Sequence, residues 1–111
     1  MNQVFKALSD PTRRRVLQLL RQRPMSAGEL ADQFPVSKPT MSAHFAVLQE
    51  ADLIDAEKSG RTIVYRLKMS VLEEALLGFA QTVGWEMKPR ASKRIAEGGV
   101  VQQTGPTKGE A

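Results

Sequence analysis

The sequence has 111 residues, 41% of them hydrophobic and 25% charged, and a formal net charge of +4. This suits one folded domain with a modest core and favours polyanionic partners. There is no cysteine and a single histidine, His44, which excludes disulfides, thiolate metal centres and cysteine redox chemistry and leaves one imidazole unable to build a metal site alone.

No stretch reaches the roughly 20 apolar residues of a membrane span. Met1–Asp10 also lacks the basic-then-apolar pattern of a secretion signal, so a soluble, cytoplasmic protein is expected. Charge is unevenly spread. Residues 1–68 carry 11 Lys/Arg against 7 Asp/Glu, residues 69–88 carry 1 against 3, and the remainder 4 against 2. The basic excess therefore lies on the N-terminal two-thirds and the C-terminal stretch.

In chain order, the first predicted helix covers 3–8, with Val4, Phe5 and Leu8 on one side. Ser9 or Asp10 can cap the next helix, and Pro11 fits its first turn because no N–H is needed there. Val16, Leu17 and Leu20 form its apolar stripe, and Pro24 ends it. Ser26 and Glu29 make an S-x-x-E capping box that opens a short third helix, with Leu30, Ala31 and Phe34 inward and Pro35 as its stop. After the brief Pro35-Val36 connection, Ser37 caps a fourth helix that tolerates Pro39 in its first turn. Met41, Phe45 and Leu48 supply its core face, and it ends near Ala51 or Asp52.

The period then changes from helical to alternating. Leu53–Lys58 and Thr62–Leu67 predict two strands around a Ser59-Gly60 turn, in which Gly60 can take positive φ. Ser70 and Glu73 repeat the capping-box pattern and predict a last helix of about 18 residues ending near Lys88-Pro89. Its apolar residues, Leu72, Leu76, Phe79 and Val83 with Ala75, Leu77, Ala80 and Trp85, cover more than one face. We read residues 1–88 as one domain and 89–111, rich in Gly, Lys, Gln and Pro, as a disordered tail.

The expected fold is mainly α with a small β-hairpin, five helices plus a two-stranded ribbon. A short capped helix, a tight turn and a second helix with a polar N-terminus is the helix-turn-helix arrangement. Its second helix enters the major groove of DNA. A ribbon following directly, with Lys58 and Arg61 at its tip, makes the arrangement a winged one.

Lys38, Pro39, Thr40, Ala43 and His44 are the candidate base-reading residues. Lys38 can donate to guanine or phosphate, Thr40 can hydrogen-bond a base edge, and Ala43 can pack on a thymine methyl. Ser37, Ser42, Lys58, Arg61, Arg13 and Arg14 are the candidate contacts to the phosphate backbone. A helix 70–88 with so wide an apolar surface predicts a homodimer, whose interface would take Val4, Phe5, Leu8, Leu72, Leu76, Phe79, Ala80 and Val83. No nucleophile–base pair, phosphate loop or metal set is present, so no catalysis and no cofactor is expected. The alternative is a winged helix that binds protein and not DNA, but such a face should be acidic or apolar.

The stretch Phe5-Lys6-Ala7-Leu8-Ser9-Asp10-Pro11-Thr12-Arg13-Arg14 resembles the opening of ArsR-type winged-helix repressors. Ser26-Ala27-Gly28-Glu29-Leu30-Ala31 is similar to the same family, as are the run from Ser37 to Leu48 and the wing with Gly60-Arg61 and Val64-Tyr65-Arg66-Leu67. The resemblance spans about residues 2–87 and, within the family, is greatest to the SdpR-like autorepressors. It implies a homodimer built on the first and last helices that represses from an inverted-repeat operator near promoters. Metal-sensing members carry a cysteine pair on the recognition side, or histidine and acid ligands on the last helix. Here the third helix has Glu29, Leu30, Ala31 and Asp32, and the last helix has no histidine, so no metal inducer is expected.

Overall fold

Capping chemistry sets most of the helix boundaries in the computed structural model, which describes residues 2–85. Helix α1 (Asn2–Leu8) leads into α2 (Pro11–Gln22), where the Asp10 carboxylate accepts from the Arg13 backbone N–H at 3.1 Å. A two-residue strand β1 (Met25–Ser26) precedes α3 (Ala27–Ala31). The predicted capping box opens α3: Glu29 N–H donates to Ser26 Oγ at 3.0 Å, and Ser26 N–H donates to Glu29 Oε1 at 2.9 Å. Recognition-helix candidate α4 spans Lys38–Glu50 with Ser37 as its cap, followed by β2 (Ile54–Ser59), β3 (Thr62–Leu67) and α5 (Met69–Thr82).

The five predicted helices and the hairpin are all present. The sheet is larger than expected, three antiparallel strands in the order β1-β3-β2, with Met25 opposite Tyr65 and Ser26 opposite Val64. Two residues carry no readable alternation, so β1 left no periodic signal. The hairpin turn also shifts by one residue. Ser59 pairs with Thr62, so Gly60 and Arg61 are the two central turn residues. Gly60 has φ +62°, the conformation a type II′ hairpin requires at its first central position.

Both long C-terminal helix ends are Schellman motifs. At α4, Leu53 N–H reaches Leu48 C=O at 3.0 Å and Asp52 N–H reaches Gln49 C=O at 2.9 Å, with Asp52 in the left-handed region at φ +61°. Leu48 and Leu53, the hydrophobic pair that accompanies such a motif, are both fully buried. At α5, Gly84 (φ +79°) plays the same part, with Trp85 N–H on Ala80 C=O at 2.7 Å. The last helix therefore stops at Thr82 and does not continue toward Lys88 as expected. Lys88 itself, and the predicted tail 89–111, lie outside the described residues.

The second predicted capping box does not form. The N-cap of α5 is Lys68, without a side-chain cap bond, and Ser70 is already helical. The cause is tertiary. Lys68 N–H donates to Leu53 C=O at 2.8 Å and Lys68 Nζ to Asp52 Oδ1 at 2.7 Å, which pins the chain to the end of α4 before Ser70 is reached.

The core is built from Val16, Leu17 and Leu20 of α2, Leu30 of α3, and Met41, Phe45 and Leu48 of α4, with Leu53 of the following turn and Ile54 and Tyr65 of the sheet closing it. The rings of Phe45 and Tyr65 lie 4.8 Å apart. This contact seats α4 on the central strand, so the wing and the recognition helix share one rigid base. Cutting a fully buried leucine such as Leu48 to alanine is expected to cost about 2–5 kcal/mol.

Candidate nucleic-acid interface

With Met41, Phe45 and Leu48 turned inward at i, i+4 and i+7, the opposite side of α4 is left to solvent. Ser37, Lys38, Pro39, Thr40, Ser42 and Ala43 are all exposed. Ser37 Oγ accepts from Thr40 N–H at 3.3 Å, and its hydroxyl lies 2.9 Å from Thr40 Oγ1. The cap thus also orients the Thr40 hydroxyl, a short side chain suited to a base edge. Lys38 makes no ion pair among the described residues. The connection from α3 is longer than the Pro35-Val36 pair read from the sequence. It covers 32–37, and the bonds Gln33 N–H to Leu30 C=O and Phe34 N–H to Ala31 C=O carry the winding past the end of α3.

At the wing, Lys58 and Arg61 are exposed and make no side-chain hydrogen bond or ion pair among the described residues. The one wing-strand carboxylate near them, Glu57, is engaged by Arg66 at 3.1 Å. Positive charge at the tip is therefore left free while the Glu57 carboxylate is compensated. Gly60 has no atom within 4 Å of where a Cβ would stand; its positive φ, not crowding, is what favours glycine there.

Three of the candidate contact residues are placed elsewhere. Arg13 is half-buried and folded back onto α1 and α4: Nη2 donates to Lys6 C=O at 2.9 Å, Nε to Ala7 C=O at 2.7 Å, and Nη1 to His44 Nδ1 at 3.2 Å. Arg14 Nη1 donates to Leu8 C=O at 2.8 Å. The C-terminal carbonyls of α1, orphaned at a helix end, are thus satisfied by two arginines of α2. The His44 side chain is only 17% exposed, and Nδ1 lies 3.9 Å from Asp10 Oδ2. The Arg13 backbone N–H, with a smaller contribution from the Arg13 guanidinium charge, holds the Asp10 carboxyl below the usual carboxylate range. His44 therefore faces the start of α2, which takes it out of the base-reading set. The arginine run showed only charge; which of its members turned inward depended on partners distant in sequence.

The candidate dimer residues divide as well. Val4 and Ala80 are buried within the protomer at 5% and 2% exposure and have no surface to offer a second chain. Phe5, Leu8 and Leu72 are half-buried. Leu76, Phe79 and Val83 are 41%, 46% and 59% exposed, and Met69, Leu77 and Trp85 are exposed as well. Phe5 meets Phe79 edge-on with ring centroids 5.2 Å apart, which joins α1 to α5. No group of three or more His, Cys, Asp or Glu that could hold a metal occurs among the described residues, and no described helix is long and apolar enough to cross a membrane.

Residues 8–57 match the model of a helix-turn-helix domain family. The transcriptional repressor SdpR of Bacillus subtilis (strain 168) is 45% identical over 76 residues, which is 68% of this chain and 84% of that one. The HTH-type transcriptional regulator Rv2034 of Mycobacterium tuberculosis is 34% identical over 96 residues, covering 77% of this chain and 90% of its own. Among solved structures, an ArsR-like transcriptional regulator from Rhodococcus sp. RHA1 superposes with a TM-score of 0.65 at 35% identity, over 75% of this chain and 77% of that one.

Proposed function

The chain belongs to the ArsR family of winged helix-turn-helix transcriptional repressors, and on that premise we propose how its residues meet DNA. As a family member it is a DNA-binding transcriptional repressor, not an enzyme. The observation that carries the proposal is the exposed N-terminal face of α4, neutral apart from Lys38 and held outward by the buried Met41, Phe45 and Leu48.

In the proposed complex this face enters the major groove. Lys38, Pro39, Thr40 and Ala43 meet base edges, and Ser37 and Ser42 meet the flanking phosphates. Lys58 and Arg61 at the wing tip supply backbone contacts. One recognition helix covers only a few base pairs, so specific affinity needs two half-sites about one helical turn apart, read by a two-fold dimer. The apolar α5 surface of Leu76, Phe79 and Val83, continued by Phe5, is the proposed interface. The dimer would bind an inverted-repeat operator in the cytoplasm and repress by occupying promoter DNA.

Release is proposed not to depend on a metal, although relatives include an arsenical resistance operon repressor of Staphylococcus xylosus. The sequence lacks any thiolate, and Nδ1 of its one imidazole is engaged by Arg13.

The test is an anisotropy titration against a duplex carrying the preferred site at several salt concentrations. Affinity should fall by orders of magnitude between about 50 and 200 mM salt, because phosphate contacts release counterions. Affinity independent of salt would rule the phosphate contacts out.

A further inference from the structure

Arg13, on α2, touches α1 and α4 at once, and these two have separate tasks in the proposed complex. Its guanidinium binds the last carbonyls of α1, Lys6 and Ala7, and at the same time Nδ1 of His44 on α4. An arginine has donors only, so His44 Nδ1 must be the acceptor at 3.2 Å. The ring proton of neutral His44 then sits on Nε2. Asp10, the cap of α2, has Oδ2 3.9 Å from the same ring nitrogen. One planar, rotationally restricted fork therefore joins α1, which meets α5 through Phe5 and Phe79, to the middle of the recognition helix. A planar fork with several donors in fixed directions holds geometry in a way that a flexible ammonium does not.

We infer that Arg13 is a positioning residue that, through His44, fixes the recognition helix relative to the dimerisation elements and so sets which half-site separation the dimer accepts. This rests on the dimeric reading proposed above. In a two-fold dimer the separation of the two recognition helices depends on how rigidly each is held to its own interface elements. A loosened α4 would still present Lys38, Thr40 and Ala43 to a half-site but would tolerate half-sites at the wrong separation. The polar tie is the only described side-chain hydrogen bond between α2 and α4; the remaining contacts between them are apolar and less directional.

The experiment measures, by anisotropy, the ratio of affinities for the preferred inverted repeat and for the same repeat with its spacer lengthened by one base pair. Sedimentation and thermal melting accompany each protein. Wild type is compared with Arg13→Ala, with His44→Ala, which leaves the bonds to Lys6 and Ala7 intact, and with His44→Asn, whose amide oxygen can stand where Nδ1 stands. The expected result is a spacing ratio reduced roughly fivefold or more in both alanine variants, the lower range of a site-to-site coupling. Single-site affinity should change little, and His44→Asn should recover most of the discrimination. If Arg13→Ala does not fold, His44→Ala decides. An unchanged ratio in folded, dimeric His44→Ala overturns the inference and leaves the dimer standing. A wild-type protein that sediments as a monomer and shows no spacing preference overturns the dimeric reading, and this inference with it.

Discussion

In the proposed complex, Arg61 and Thr40 represent the two kinds of contact by which a protein meets DNA, one that positions and one that specifies. Arg61 sits at an exposed hairpin tip with no intramolecular partner among the described residues. Arg61→Ala should weaken binding to all sequences alike and lower the salt slope by about one; an unchanged slope in a salt titration would remove the wing from the interface. Thr40, its hydroxyl held by Ser37, should behave oppositely. Thr40→Ala should relax base preference at one position by about 1–3 kcal/mol while leaving the salt slope intact, checked by competition with single-base variants of the site. Both residues were legible in the sequence because exposure at a capped helix start or a turn is a local property. The fates of Arg13, Arg14 and His44 were not. Adjacent arginines look alike in a sequence, and only the third dimension decides that Arg13 bonds a histidine 31 positions away.

Among the elements, the helices and the hairpin followed from period and capping, and the failures came from nonlocal forces. Ser26-x-x-Glu29 and Ser70-x-x-Glu73 are the same pattern, yet only the first forms a box, since the Lys68 bonds to Leu53 and Asp52 begin α5 too early for the second. Ser26→Ala should therefore cost about 1 kcal/mol of stability in denaturant unfolding, whereas Ser70→Ala should stay within about 0.5 kcal/mol of wild type.

The two functioning carboxylate caps also predict a pH dependence. The Arg13 backbone N–H lowers the Asp10 carboxyl, and the Ser26 backbone N–H lowers that of Glu29, helped by Arg23 at 3.4 Å. A carboxyl whose folded value lies below its unfolded one adds stability above the unfolded value and loses it as pH falls through the folded one. Melting temperature should thus decline from about pH 5 downward, and less so in Glu29→Gln. The same acid sensitivity in Glu29→Gln as in wild type would show that this cap contributes nothing. Gly84 is a local miss: its positive φ ends α5 in a Schellman motif, short of the Lys88 expected from the apolar run.

For the whole molecule, the apolar side of α5 is the proposed surface of assembly. The breadth of that surface was visible in the sequence, but its division was not: Ala80 and Val4 pack within the protomer, while Leu76, Phe79 and Val83 stay exposed. Which side of a wide stripe faces inward depends on where α1 docks, and the Phe5–Phe79 contact shows that docking. The double variant Leu76→Glu, Phe79→Glu should sediment as a monomer while keeping its helical circular dichroism, because the exposed residues contribute little to the protomer core. A folded double variant that remains dimeric would move the interface away from α5.

The central claim is that two recognition helices, each beginning at the Ser37 cap, read two related half-sites on one duplex. Selection of bound sequences from a random duplex pool by the full chain tests it most directly. The predicted result is a single inverted repeat with half-site centres about one helical turn, or 10 base pairs, apart. Enrichment of an isolated half-site, or of no sequence, would contradict it.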